Sequence, residues 1–363
     1  MPSQCGQHAH SPLQGLILIA AIALVVVGVS ACGSTLQASG PSPAASALSG
    51  SAPATTLVAP ATLHPTAITF LSATRGVVAG QMVTDPAKTN GPNAIQLSSD
   101  GGATWRMVHR VNWPVTSLSA VAPDHVWALV TQGRKTGAPA QLLASSDGGA
   151  TWASVGRRVP GLTGPVFASR TVGFALRLDD FAAKPEYAPW TLVKTTDGGR
   201  TWQSVARACP FGTTATAISF VDSSSGWQLR TRQPGAGQQL RELLATKDGG
   251  LHWRRVSGTL SPAGIATSLK DGLGIGGYPD SLFFLPDGHG WIGLNYAASI
   301  IATKNAGRTW RPAGTRLSDY GAGPVWFLDD RNGFAIAGSA VHFRLLRTRN
   351  GGRTWTTVHT WED

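Results

Sequence analysis

Carboxylates, tyrosines and arginines are the side chains of this sequence whose chemistry could act on a bound molecule. Only three Glu are present, Glu186, Glu242 and Glu362, and Glu186 stands directly before Tyr187. Cleaving a glycosidic bond needs two carboxyl groups facing across a cleft, one to protonate the leaving oxygen and one to attack or to activate water. Asp180 or Glu186 opposite Asp280 or Asp319 is the pairing this sequence offers for that task. The same segments hold Tyr187, Tyr278, Tyr296 and Tyr320 with Arg134, Arg230 and Arg232, residue types that also anchor a macromolecular partner. Metal chemistry has weaker support: the nine His are dispersed, no Cys-x-x-Cys occurs, and no acidic loop has calcium-ligand spacing. Neither a metal nor another cofactor is expected.

The elements that must position these groups are set by a repeat. Ser98-Ser99-Asp100-Gly101-Gly102-Ala103-Thr104-Trp105 recurs as Ser145 to Trp152, Thr195 to Trp202, Thr246 to Trp253, Thr303 to Trp310 and Thr348 to Trp355. The six Trp are 47, 50, 51, 57 and 45 positions apart, the length of one four-stranded propeller blade. A second signature precedes each octapeptide, an aromatic residue with Gly six places on: Phe70 and Gly76, Phe167 and Gly173, Phe220 and Gly226, Phe284 and Gly290, Phe327 and Gly333. The second repeat departs from it, with Ala120 and Val126. Forty-four Gly, 23 Pro and 13 Trp against 13% charged residues fit a turn-rich all-β chain.

Within the octapeptide the composition matches a tight hairpin. Gly supplies positive φ, the carboxylate accepts from turn amides and from the Thr hydroxyl, and Trp covers the turn. Asp100, Asp147, Asp197 and Asp248, with Asn305 and Asn350 in the last two copies, and Trp105, Trp152, Trp202, Trp253, Trp310 and Trp355 are therefore read as structural. This octapeptide resembles the Asp-box, or BNR repeat, of sialidases and other propellers. The Phe-x-Asp-x-x-x-Gly-Trp element, clearest from Phe220 to Trp227, is similar to the photosystem II assembly and stability factors and their bacterial relatives. The resemblance covers roughly residues 62 to 361 and implies a six-bladed β-propeller of four-stranded antiparallel blades, with seven blades as the alternative because Val256 to Ser281 is enlarged. Among sialidases, activity requires three Arg, a Tyr and Glu pair, an Asp acid and an Arg-Ile-Pro tripeptide. No such tripeptide occurs here, so no catalytic residue is assigned and enzymatic activity is left open.

With this phasing the Asp-boxes share one face with the first-to-second turns. The second-to-third turns and inter-blade segments ring the channel mouth on the other face. Tyr187, Tyr296, Tyr320, Arg134, Arg230, Arg232, Asp180 and Glu186 fall on that second face and form the expected partner surface.

The N-terminus sets the expected compartment. Leu16 to Val29 is an apolar run of signal-peptide length, ending in Val29-Ser30-Ala31-Cys32, which resembles a bacterial lipobox. The expected organisation is a signal peptide at 1–31, a lipidated Cys32 with a Ser/Ala/Pro-rich tether at 32–60, and the propeller at 61–363. No Lys or Arg precedes residue 16, a departure from the usual signal sequence, and an uncleaved anchor is the alternative. Either places the body outside the cytoplasm, held to the cell membrane. Cys209 is then left without a disulfide partner and reads as a buried or loop thiol. The net charge of +11 favours anionic surfaces. The basic residues lack the aromatic-interleaved stripe of a nucleic-acid site, and several follow a box Trp, where they guard an edge strand. The function expected is that of a monomeric binding, docking or assembly-factor-like lipoprotein, with a protein or an anionic cell-wall polymer as partner. A carbohydrate-binding or carbohydrate-hydrolysing propeller is the alternative.

Overall fold

Six copies of one four-stranded unit succeed each other along the chain. The computed structural model describes residues 62–83, 91–133, 137–180, 189–208, 213–258, 271–297, 299–314, 317, 321–338 and 342–362. Blade 1 is β1 (Thr62–Phe70), β2 (Gly76–Val83), β3 (Asn93–Ser98) and β4 (Arg106–Val111). Blade 2 is β5 (Val115–Val121), β6 (His125–Thr131), β7 (Pro139–Ser145) and β8 (Ala153–Pro160). Blade 3 follows as β9 (Leu162–Phe167), β10 (Gly173–Leu178), β11 (Trp190–Thr195) and β12 (Gln203–Arg207). Blade 4 comprises β13 (Thr214–Phe220), β14 (Gly226–Thr231), β15 (Arg241–Thr246) and β16 (Arg254–Gly258). Blade 5 comprises β17 (Tyr278–Phe284), β18 (Gly290–Asn295), β19 (Ser299–Thr303) and β20 (Arg311–Pro312), and blade 6 β21 (Ala322–Phe327), β22 (Gly333–Gly338), β23 (His342–Thr348) and β24 (Thr356–Glu362). Each is an antiparallel sheet in sequence order, so six blades form. The enlarged Val256 to Ser281 stretch begins in β16 and ends in β17 without adding a seventh sheet among the described residues.

Burial follows position in the blade. The second strands are covered on both faces by neighbouring blades, and β10 and β18 accordingly read as apolar runs. Outer strands are edges: β4 and β8 are largely exposed and carry Arg106, Arg110, Arg157 and Arg158, charges that disfavour pairing with another chain.

Blades are joined by aromatic pairs. The residue after the signature Gly stacks on the signature Phe of the next blade: Trp127 on Phe167 at 3.8 Å, Phe174 on Phe220 at 3.6 Å, Trp227 on Phe284 at 4.0 Å, Trp291 on Phe327 at 3.5 Å. The box Trp of the same blade meets that Phe edge-on, as Trp253 meets Phe220 at 6.1 Å and 80°. The signature Gly is required because the Phe ring lies over it: a Cβ at Gly226 would stand 2.5 Å from the Phe220 ring. This explains the irregular second repeat. Between blades 1 and 2 the pair is Val77 and Ala120, with no ring at either position, and Val126 is tolerated where the other blades need Gly.

The ring closes by packing blade 6 on blade 1. Phe334 stacks on Phe70 at 3.5 Å, and Trp361 lies 6.1 Å from Trp105. All four strands of blade 6 come from residues 322–362. Thr55 to Ala59, the alternative closing segment, lies outside the described residues, as do the apolar N-terminal run, Cys32 and Cys209.

Candidate functional site

The inner strands β1, β5, β9, β13, β17 and β21 line a central channel with a cavity of about 700 Å³. Each carries a β-bulge at the same level. The residues left out of register are Thr66, Thr116, Gly164 with Pro165, Thr216, Asp280, and Gly323 with Pro324. Bulges re-aim a side chain out of the ladder. Here they furnish a ring of small or hydroxyl-bearing residues in which one position, in blade 5, is an acid. Thr66 spends its hydroxyl proton on the Val115 carbonyl at 2.6 Å, Thr116 points at the Leu129 carbonyl at 3.4 Å, and Thr216 shares a proton with Thr231 at 2.8 Å. Asp280 is solvent-exposed toward the channel lumen while the protein crowds around it, and among the described residues no donor meets its carboxylate. Desolvation therefore pushes its pKa up to about 6.

The Asp-box carboxylates have the opposite surroundings. Asp100 accepts from the Thr104 hydroxyl at 2.6 Å, the Thr104 amide at 2.9 Å and the Ser98 hydroxyl at 2.8 Å. These donors, Thr104 foremost, hold its pKa down to about 2. Asp147 and Thr151 repeat the arrangement, and Asp248 replaces the hydroxyl with the His252 ring at 2.7 Å. Each hairpin is also tied to the first-to-second turn of its own blade by a backbone bond, such as the Gly101 amide to the Thr74 carbonyl at 2.7 Å. Both turn types thus share one face, as the phasing requires. The carboxylates are consumed by their own hairpins and do not converge on a site.

A second cavity, of about 710 Å³, opens on the Asp-box face between blades 5 and 6. It exists because β20 is only two residues long: Pro312 has no amide to continue the ladder, whereas the other outer strands run five to eight residues. Lys304, Arg311, Arg331, Arg349 and Arg353 line it against one carboxylate, Asp330. None of the five forms a side-chain hydrogen bond or ion pair among the described residues. The boxes flanking this cleft are the two that carry Asn in place of Asp. Asn305 and Asn350 keep the hairpin geometry, accepting the Thr309 and Thr354 amides at 2.9 Å each, and they remove two negative charges from the cleft. Arg347, on the blade 1 side of blade 6, is held below its ordinary pKa by burial and by the neighbouring Arg349.

Of the expected partner-face residues, Tyr296, Arg230, Arg232 and Asp180 are described. Tyr296 is 70% exposed, at φ +67°, with its ring 5.5 Å from that of Tyr278. Arg230 is buried, donates to the Ala208 carbonyl at 2.9 Å and lies 3.7 Å from Glu242, so its charge is used inside blade 4. Arg232 is half-buried with a buried Nε. Asp180 is exposed beside Asp179, which accepts from Arg177 at 2.7 Å and from Thr191. Arg134, Glu186, Tyr187, Asp319 and Tyr320 lie outside the described residues. Of the four carboxylates considered for a hydrolytic pair, Asp280 alone lines the channel among the described residues. The inter-blade cations were not singled out from the sequence. Their signal was present in Asn305, Asn350 and Pro312, but it acquires meaning only once blades 5 and 6 are neighbours.

No protein-family model matches the sequence, and no curated protein matches it. Solved structures do. The GH93 α-L-arabinofuranosidase of Fusarium graminearum, in complex with arabinobiose, is similar with a TM-score of 0.55 and 15% identity, over 76% of this chain and 88% of that one. An α-L-arabinanase of Penicillium chrysogenum complexed with arabinobiose gives a TM-score of 0.54 and 12% identity over 82% and 92%. YCF48 bound to a D1 peptide gives 0.45 and 17% over 82% and 83%. The likeness expected from the repeats, to assembly-factor and sialidase-like propellers, is thus met among solved structures. At these identities it establishes the fold alone.

Proposed function

We propose that this chain is an extracytoplasmic lipoprotein, anchored through Cys32, whose propeller docks an anionic partner at the cell surface, either an acidic protein segment or a cell-wall polymer. The observation that carries the docking reading is the cleft between blades 5 and 6, where five exposed cations line the wall with one acid, Asp330, and Asp329 lies close enough to act on Arg331. Like charges in excess of their counter-charges repel one another, and a bound polyanion relieves that repulsion. Four of the five are Arg, whose fork of donors suits carboxylate and phosphate oxygens. The lipid alone would anchor weakly, and a second electrostatic attraction to an anionic surface strengthens it. The hydrolase alternative needs two facing carboxylates, and the described channel wall offers Asp280 alone.

Co-precipitation of the full chain from membranes tests this reading. The partner should be retained at low salt, released as salt rises, and lost in the triple variant Arg331→Glu, Arg349→Glu, Arg353→Glu. Undiminished capture by the triple variant contradicts the docking site. Incorporation of labelled fatty acid that persists after Cys32→Ser contradicts the anchor.

A further inference from the structure

Six equivalent bulges face the channel, and only one of them bears a charge. Nothing in the blade's construction requires an acid there: Thr or Gly with Pro fills the position in the other five blades. Asp280 also receives no hydrogen bond from the described residues, so its carboxylate faces the lumen without a protein partner among them. Its Oδ2 lies against Gly323 of blade 6, where an added Cβ would stand 3.7 Å away.

The groups around it are neutral. The Thr66 hydroxyl proton is committed to the Val115 carbonyl, and Ser281 directs its own to the Gly323 carbonyl at 3.4 Å. Thr216 and Thr231 share theirs. Among the described lining residues the carboxylate of Asp280 is the one charged group, set among neutral hydroxyls, backbone and apolar side chains. An ammonium or amidinium, which donates several hydrogen bonds and carries the opposite charge, pairs best with a lone carboxylate; an anionic ligand is repelled, and a neutral hydroxyl can donate to it but brings no charge. Phe283 and Trp326, with ring centroids 4.8 Å apart, also line the channel, and aromatic rings attract a cation and cover an apolar body. A cavity of about 700 Å³ is in the range of small-molecule sites. No Lys, Arg, His, Glu or Tyr lines it: among the described lining residues of β1, β5, β9, β13 and β21 none is ionisable, and β17 contributes Asp280 alone. The chain's net positive charge resides outside this wall and is screened over about 8 Å at physiological ionic strength.

We propose that the central channel binds a ligand carrying a protonated nitrogen on an apolar body, with the Asp280 carboxylate as its anchor. This site is separate from the inter-blade cleft and takes a ligand of opposite charge. Binding follows the ionisation of Asp280, which is complete above its raised pKa and lost below it.

The test uses the full chain with two probes of similar shape, benzylammonium and benzyl alcohol, titrated at pH 7.5 and at pH 4.5 while the Trp326 indole N–H signal is followed by NMR. At pH 7.5 the ammonium should bind about tenfold or more tightly than the alcohol, a preference of ~1.4 kcal/mol. That preference should vanish in Asp280→Asn. It should vanish equally in the unaltered protein at pH 4.5, where the probe keeps its charge and Asp280 does not, so the test survives if the variant fails to fold. Equal affinities at pH 7.5, a preference that persists at pH 4.5, or no binding of either probe in the millimolar range overturns the proposal. The Arg331→Glu, Arg349→Glu, Arg353→Glu variant should retain the preference, which separates failure of the channel site from failure of the docking reading.

Discussion

Two groups of aspartates in this propeller share a side chain and differ in everything around it. In the Asp-box hairpins each carboxylate is met by hydroxyl and amide donors within about one turn of chain, and Asp100 and Asp248 are held down to about 2. On the channel wall Asp280 faces the lumen with protein crowded around it and no donor among the described residues, and desolvation pushes it up to about 6. The role of a carboxylate is therefore set by its donors: satisfied ones stabilise a fold, and an unsatisfied one is left for a ligand.

The largest effect expected on the structural side of this comparison comes from crowding the blade joint that the boxes brace. Gly226→Ala puts a Cβ 2.5 Å from the Phe220 ring and should cost about 2–3 kcal/mol in denaturant unfolding. Val126→Ala, at the equivalent place beside ring-free Ala120, should cost less, and equal losses would break the account of the signature. Next in size, Asp147→Ala strands the Ser145 and Thr151 hydroxyls and the Ala150 and Thr151 amides, a loss of about 1–2 kcal/mol. Asp147→Asn should cost well under 1 kcal/mol, because Asn305 and Asn350 already hold the same hairpin.

These residues also show how far the sequence could be read. The period of the boxes, the phase of the Phe and Gly signature and the hairpin chemistry all depend on neighbours within one blade, so blade number, strand order and the structural part of the Asp-box were legible. The channel acid was visible only as one of four candidates. Asp280 is distinguished by a bulge and by the absence of donors from blades far away in sequence, neither of which leaves a local pattern. The inter-blade cleft was invisible for the same reason: Arg311 and Arg353 come from different blades, and Arg311, directly after a box Trp, reads by itself as an edge-strand charge. Arg230 shows the converse, a loop-side cation that the structure turns inward onto the Ala208 carbonyl.

Smaller shifts should separate the two aspartate groups by pH. A depressed carboxylate stabilises the fold above its unfolded pKa and loses that contribution as pH falls through its folded value, so the boxes should weaken between about pH 4 and pH 2. A raised one works in reverse: protonated Asp280 is favourable at low pH, and its contribution is lost as pH rises through about 6. Asp280→Asn should accordingly raise the melting temperature at pH 7.5 relative to its effect at pH 4, by a small margin because solvent in the lumen screens the carboxylate. A lower melting temperature at pH 7.5 would mean the carboxylate has a stabilising partner. The smallest effect is expected from the cleft, where Arg331→Glu or Arg349→Glu should change stability by no more than about 0.5 kcal/mol while weakening partner capture.

One titration addresses both halves of the comparison at once. In the ligand-free chain with 13C-labelled aspartate side chains, NMR should show the Asp280 carboxyl titrating near 6 and the Asp100 and Asp248 carboxyls near 2. Titration of Asp280 at or below the usual carboxylate value near 4 would show that the channel acid is already satisfied, and would remove the basis for assigning it to a ligand.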